Sequence, residues 1–145
     1  MEGFPPHSID IFISPIRDSP QAQGCLVGLL ILIVLDVMLG FSAACRTHTV
    51  RSSVMRDGVW HKVGELGIVA VCDVIDGLLG TGIDLGFNSP ITVVVIAYLC
   101  VMEIMSCLEN AVRLDPELEK SKALGFITAT LKGGKDGSDG TKEGE

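Results

Sequence analysis

Three long apolar blocks dominate the pattern of hydrophobic and polar positions along the chain. The first runs from Gly24 to Cys45, and its only charged residue is Asp36. A helix of about 22 residues extends roughly 33 Å, enough to cross a bilayer. The second block, Val63 to about Phe87, carries acids and glycines, and the third runs from Pro90 to about Leu108. The pattern predicts an all-α membrane protein with three transmembrane helices.

The segments outside these blocks are predicted to lie at the membrane surface or in water. Residues 1–23 contain four prolines among isoleucines, which favours an interfacial segment over a long helix. Asp115 and Pro116 are typical of an N-cap and a first helical position, so a short cytoplasmic amphipathic helix is expected to about Leu131. The polar, glycine-rich end is expected to be disordered. The predicted organisation is an interfacial segment (1–23), a three-span membrane domain (24–110), the amphipathic helix (111–131) and a disordered C-terminal tail (132–145).

The distribution of basic residues predicts the orientation in the membrane. Lys and Arg number one before the first block, four between the first and second, none in the second turn and six after the third. Basic loops stay on the cytoplasmic side. With three crossings, the N-terminus is predicted to lie outside. The loop from Arg46 to Lys62 and the C-terminus are predicted to lie in the cytoplasm.

Four acids of the second block fall on one side of the predicted helix. At about 100° per residue they share an arc of roughly 100°, and they are Glu65, Asp73, Asp76 and Asp84. Four ionised carboxylates would cost on the order of 10 kcal/mol in hydrocarbon. This face is therefore predicted to be buried in protein, to line a pore or to lie at the interface. An amphipathic interfacial helix that never spans is the alternative.

Polar groups also mark the first and third blocks. Asp36 lies a little past the middle of its block, where a carboxylate is disfavoured by roughly 2.5 to 3.5 kcal/mol. Glu103, Ser106 and Asn110 follow spacings of three and four, so they form one stripe along a helix. Asp36, Glu103 and Asn110 join the candidates for a polar or pore-lining face. Hydrogen bonding between neighbouring spans is the simpler role for Ser106 and Asn110.

Small residues predict where helices pack. Gly28 and Gly40 leave surfaces that a neighbouring helix can approach closely, and Ser106 is the third packing candidate. The five cysteines lie in or at the edges of the apolar blocks without a CxxC pair, so we interpret them as small apolar filler. Cleavage of the first block as a lipoprotein-like signal before Cys45 is the alternative to a span.

Composition narrows the classes of function. Hydrophobic residues make up 48% of the chain and more than half of its 145 residues fall in the apolar blocks, so little chain remains for a soluble catalytic domain. The three histidines form no ligand-spaced cluster, and no nucleophile or phosphate-loop motif occurs. We expect no enzyme activity, catalytic residue, metal site or cofactor. A net charge of -7 would normally argue against binding anionic lipid or nucleic acid, but six of the 18 acids lie in or at the edges of the apolar blocks, so the global charge is misleading. We expect no nucleic-acid partner.

Several short strings resemble those of the phage lysis and toxin-secretion holins of Gram-positive phages and prophages. They are Leu35-Asp36 with Gly40, a basic loop with Ser52, Ser53, Gly58 and Lys62, and Glu103 with Ser106, Leu108-Glu109-Asn110-Ala111 and Leu114. The resemblance covers roughly residues 25 to 132, and the Leu-Glu-Asn-Ala string is its most specific element. Asp115-Pro116-Glu117 stands where the family usually has a Gly-Leu-Pro-like turn.

The resemblance implies a small multi-pass protein of the bacterial cytoplasmic membrane. Such a protein forms homo-oligomers in the lipid bilayer and opens lesions that release an endolysin or toxin, which is exported without a specific binding site. Two alternatives stay open: an antiholin or other non-lytic membrane interaction protein, and a small ion-conducting subunit that binds cations through the same acids.

Overall fold

A computed structural model describes residues 10–83, 86 and 90–132, without the side chains at 123, 128, 131 and 132. These residues form helices and contain no strand, which confirms the all-helical prediction for this part of the chain. The helices are α1 (Asp10–Arg17), α2 (Pro20–Arg46), α3 (Ser52–Gly80), α4 (Ile91–Leu114), a 3-10 helix (Pro116–Lys120) and α5 (Lys122–Lys132). The predicted tail beyond residue 132 and the candidate Asp84 lie outside the described residues.

Helix α2 begins four residues before the first apolar block. The hydroxyl of Ser19 accepts a hydrogen bond from the backbone N–H of Ala22 at 3.2 Å, and Pro20 occupies the first turn. A serine N-cap followed by proline is a favoured helix start, because proline has no N–H to leave unpaired there. The polar residues before Gly24 therefore extend the helix instead of ending it.

Helix α3 contains most of the segment that was expected to be a basic loop. It begins at Ser52, whereas the loop was expected to continue to Lys62. Lys62 therefore lies inside a helix and not in a loop. Residues 52–62 contain no proline, and the single Gly58 is tolerated in a helix at a cost of about 1 kcal/mol. Only residues 47–51 remain as the connection between α2 and α3.

Helices α2 and α4 run parallel to each other. The Cys100 thiol donates to the carbonyl of Cys25, the Cys107 thiol to that of Leu32, and the Asn110 amide to the carboxylate of Asp36. The separations in sequence are 75, 75 and 74 residues, and a constant offset is possible only when both helices point the same way.

The seam between these helices has a heptad pattern. The buried residues of α2 recur every seventh position, and they are Ala22, Leu29, Asp36 and Ala43. Those of α4 are spaced by three or four, and they are Thr92, Ile96, Leu99, Glu103 and Cys107. This is the spacing of helices packed side by side as in coiled coils. The apolar core is formed by Leu29, Val69, Ile96 and Leu99, and the acids belong to the same seam.

Helix α3 returns in the opposite direction along α4. Lys62 near its start contacts Glu103, and Asp76 near its end contacts the first turn of α4. Helix α1 packs against the second half of α3, where the backbone of Ile11 and Phe12 lies over Gly77. The fold is thus a three-helix bundle with a short helix against α3.

Two of the described helices, α2 and α4, are long and apolar enough to cross a membrane. Their outward surfaces remain apolar, because large side chains such as Val34, Met38 and Val94 are more than half exposed. Helix α3 does not meet the same criterion, since it carries charged residues along its length.

Candidate functional site

One lysine and three acids meet inside the bundle. The lysine cluster consists of Asp36 from α2, Lys62 and Glu65 from α3, and Glu103 and Asn110 from α4. The seam between α2 and α4 contributes Asp36, Glu103 and Asn110, and α3 contributes Lys62 and Glu65. The packing that brings the three helices together therefore also brings these polar groups together. The side chain of Lys62 is only 13% exposed, and Glu103 as a residue is 1% exposed.

Lys62 is the centre of the cluster. Its Nζ lies 3.0 Å from Asp36 Oδ2 and 3.8 Å from Glu65 Oε2, and it also donates to Glu103 Oε1. Asn110 Nδ2 donates to the other Asp36 oxygen at 2.8 Å. One ammonium group therefore links all three helices.

The cluster is not electrically balanced. Three carboxylates face one ammonium, so the ionised group carries a net charge of -2. Oε2 of Glu65 and Oε2 of Glu103 have no hydrogen-bond partner among the described residues. Buried carboxylate oxygens without a hydrogen bond are costly in a dry interior and are better solvated by water. The cluster therefore joins the three helices but leaves two carboxylate oxygens without a hydrogen bond.

His61 extends the cluster towards the surface. Its Nε2 lies 3.2 Å from Glu65 Oε1, and its side chain is 73% exposed. Glu65 therefore contacts a buried ammonium on one side and an exposed imidazole on the other.

Asp76 caps the N-terminus of α4. Its two carboxylate oxygens accept hydrogen bonds from the backbone N–H groups of Ile91 at 3.0 Å and Thr92 at 2.8 Å. These donors have no partner within α4, and the helix dipole favours a negative charge at this end. In this conformation Asp76 is a structural group of the bundle.

Asp73 lies under α1 and away from the lysine cluster. The residue is 9% exposed, and it contacts the backbone of Ile16. The acids that share one face in the sequence thus divide between three environments: Glu65 in the cluster, Asp73 beneath α1 and Asp76 at the end of α4. Asp84 is outside the described residues.

The packing candidates differ in what surrounds them. A Cβ added at Gly40 would meet Asn110 Nδ2 at 3.2 Å, so this glycine allows the close approach of α4 beside Asp36. A Cβ at Gly28 would meet nothing within 4 Å in the described bundle. The Ser106 side chain lies beside Asp36, at the contact between α4 and α2.

Reasoning from sequence missed Lys62, because a lysine at the edge of an apolar block is usually a topology signal. The helical pattern contains a signal that identifies it. Three residues before Glu65, Lys62 falls at about 60° on the same wheel and so within the acidic arc. A cation on an acidic helical face indicates an internal ion pair.

The site offers no metal centre within the described part of the chain. No group of three His, Cys, Asp or Glu residues there is placed to hold a metal ion. The groups of the cluster can exchange ion pairs and hydrogen bonds with one another and with water.

Comparison with known proteins identifies one family. The family model described as the bacteriophage holin family matches residues 20–131, which begins at the first residue of α2 and extends into α5. Comparisons with curated proteins and with solved structures give no significant match.

Proposed function

This chain belongs to the bacteriophage holin family, and from that premise we propose that it oligomerises in the bacterial cytoplasmic membrane and forms lesions that release an endolysin or toxin. Family membership and the two apolar helices make it a holin-like membrane protein of phage lysis. Holins are generally not enzymes, so we explain the function by a change in how the helices pack.

The observation that carries the proposal is the lysine cluster inside an apolar bundle. A monomer with its acids turned inward and its apolar side chains turned outward is compatible with lipid. The same helices can form the wall of an aqueous lesion only if the polar seam opens to water. The bundle thus has an apolar outer surface and a polar seam. The equilibrium between the closed and the open bundle depends on whether the acids are paired within one chain or solvated by water.

We infer that oligomerisation shifts this equilibrium. When copies accumulate, contacts between their outward apolar faces replace contacts with lipid, and the seam of each copy is free to open. Water entering the seam solvates the oxygens of Glu65 and Glu103 that accept no hydrogen bond in the closed bundle. In the proposed lesion these two acids, Asp36 and Asn110 line the aqueous side, with Asp73, Asp76 and Asp84 following as α3 separates from α1 and α4.

The packing candidates divide between two interfaces in this proposal. Gly40 and Ser106 hold α4 against α2 within one chain. Gly28 is open within the chain, so it is proposed as a contact between copies. A small residue allows close approach of a second helix in lipid.

Three crossings are proposed, and the parallel register of α2 and α4 supports them. Two parallel helices in one bilayer require the chain between them to return to the starting side. Helix α3 has 29 residues and so a length of roughly 43 Å, more than the hydrocarbon thickness. Its charges are accommodated where they face the seam. The N-terminus is proposed to lie outside, and the cytoplasmic side to hold residues 47–51, α5 and the tail.

Controlled expression in bacteria tests the function. We expect abrupt loss of growth and entry of a membrane-impermeant dye once the protein has accumulated, together with release of a co-expressed endolysin. Continued growth with an impermeable membrane, at expression levels confirmed by immunoblot, would refute the holin assignment. Delay of lysis by a co-expressed holin without killing alone would indicate an antiholin. Small selective currents without passage of protein would indicate an ion-conducting subunit.

A further inference from the structure

A cavity of about 690 Å³ lies between α2, α3 and the end of α4, next to the lysine cluster. Asp36 and Lys62 stand at its inner end, and Thr47 and Arg51 border it where α2 has ended and α3 has not begun. From Asp36 to Thr47 the cavity extends roughly 16 Å along the direction of α2. That distance is about half of the hydrocarbon thickness.

The cavity walls are apolar and partly open. Phe41, Val54 and Met55 border it, and each is more than 40% exposed within the bundle. Helix α3 packs on α4 and α1 and makes few contacts with α2, so these side chains face a gap instead of a neighbour. An occupant must therefore bring apolar groups of its own.

The polar lining is basic. Its charged residues are three cations, Arg51, Lys62 and Arg113, and one acid, Asp36. Lys62 and Asp36 pair with each other. Among the described residues neither Arg51 nor Arg113 has an ion pair or a side-chain hydrogen bond. Arg51 precedes α3 and Arg113 lies in the last turn of α4, so both guanidinium groups stand at the same end of the bundle.

We propose that this cavity is a binding site for an anionic phospholipid. The phosphate is held by Arg51 and Arg113, because guanidinium groups present paired donors that match phosphate oxygens. One acyl chain lies against Phe41, Val54 and Met55 along the apolar wall of the cavity. Apolar walls and a basic end between membrane helices are features of sites for anionic lipid headgroups. A bound lipid contacts both α2 and α3, so it bridges the two long helices of the bundle that contact each other least.

This site depends on the chain being in a membrane and not on lesion formation, so it can be tested in vesicles without a lysis assay. Trp60 is the chain's single tryptophan, and it adjoins Val59 of the cavity lining. Acyl chains that carry bromine quench tryptophan fluorescence on close contact. The full chain is reconstituted in vesicles in which either an anionic or a zwitterionic phospholipid is brominated, and the two quenching efficiencies are compared at equal mole fraction.

We expect the wild-type chain to favour the anionic lipid, with each arginine contributing about fivefold to the selectivity. The double variant R51Q/R113Q is expected to fall to a ratio near one. The matched double variant R46Q/R56Q removes two arginines of the same region that do not border the cavity, and it is expected to keep the selectivity. Circular dichroism checks that both variants retain their helices.

Three results would overturn the proposal. Equal loss of selectivity in both double variants would mean that general surface charge attracts the lipid. Displacement by millimolar inorganic phosphate would mean that the cavity takes a free anion instead of a lipid. Selectivity that emerges only after residues 133–145 are removed would mean that the acidic tail of the chain occupies the cavity.

Discussion

At the scale of single residues, Lys62 determines how the buried acids of the bundle are accommodated. Asp36, Glu65 and Glu103 come from three different helices, and each contacts the same ammonium group. Without that cation, three carboxylates would face one another in a space with little water. Lys62 therefore stabilises the closed bundle more than any one of the acids does.

Replacing Lys62 by Met tests this role, because methionine keeps an unbranched apolar stem of nearly the same length and removes the charge. Breaking a buried ion pair costs about 3 kcal/mol or more, so the closed bundle is expected to open more readily. We predict earlier lysis at equal expression, measured from culture density and dye entry. Lys62→Arg is expected to stay close to wild type, and Arg56→Gln serves as a control for the loss of an exposed cation. Unchanged or later onset in Lys62→Met would contradict the prediction.

A second residue with a specific structural role is Asp76. Asp76→Ala removes both acceptors from Ile91 and Thr92, and loss of an N-cap costs about 1 kcal/mol. We expect a lower free energy of unfolding in detergent, measured by denaturant titration. Asp76→Asn, which keeps one oxygen acceptor, is expected to be intermediate. Glu109→Ala removes an exposed carboxylate of α4, so an equal effect in that variant would exclude a capping role.

At the scale of elements, close helix contacts occur at particular glycines. Gly77 of α3 lies directly under the backbone of α1, and a Cβ there would be 2.7 Å from the carbonyl oxygen of Ile11. Such a contact leaves no room for any other residue type. The docking of α1, and with it the cover over Asp73, therefore depends on one position.

Gly77→Ala is predicted to displace α1. Limited trypsin digestion in detergent, followed by mass spectrometry, should show faster cleavage after Arg17 in this variant. Gly67→Ala is the matched control, because a Cβ at that position meets nothing within 4 Å. The control is expected to be as resistant as wild type or more so, since Ala favours a helix interior by about 1 kcal/mol over Gly. Equal cleavage rates in the two variants would contradict the proposed docking.

At the scale of the whole molecule, the direction of α2 relative to α4 supports the three crossings proposed above. The constant offset along the seam makes the two helices parallel. If α3 remained on the surface, the same two spans would have to be antiparallel, and the contacts of Cys100, Cys107 and Asn110 would not form. The proposed number of crossings can therefore be tested through the contacts between α2 and α4.

Tags at three positions test this topology. A tag at the N-terminus and one inserted between residues 83 and 90 are expected to be accessible from outside intact cells. A tag at the C-terminus should become accessible only after the membrane is permeabilised. If both termini lie on the same side, the three-span arrangement is wrong.

The sequence alone was sufficient for the long helices, because helix formation and membrane partitioning depend on local composition. The apolar runs around Leu29 and Ile96 needed no knowledge of neighbours, and the family was recognisable from short strings such as Leu108-Glu109-Asn110-Ala111. The angular pattern of α3 also identified Glu65 as part of a polar face. Helix boundaries were less accurate, since Ser19 and the residues after Arg51 start helices before the apolar blocks begin.

Only the tertiary structure decided which polar groups meet. Asp36, Lys62 and Glu103 are far apart in sequence, and their contact depends on the parallel register and on the path of α3, which no local pattern contains. Likewise, Asp73 and Asp76 share a helical face with Glu65, yet one lies under α1 and the other caps α4. A helical pattern specifies the side on which a group lies, whereas the neighbour on that side is determined by packing.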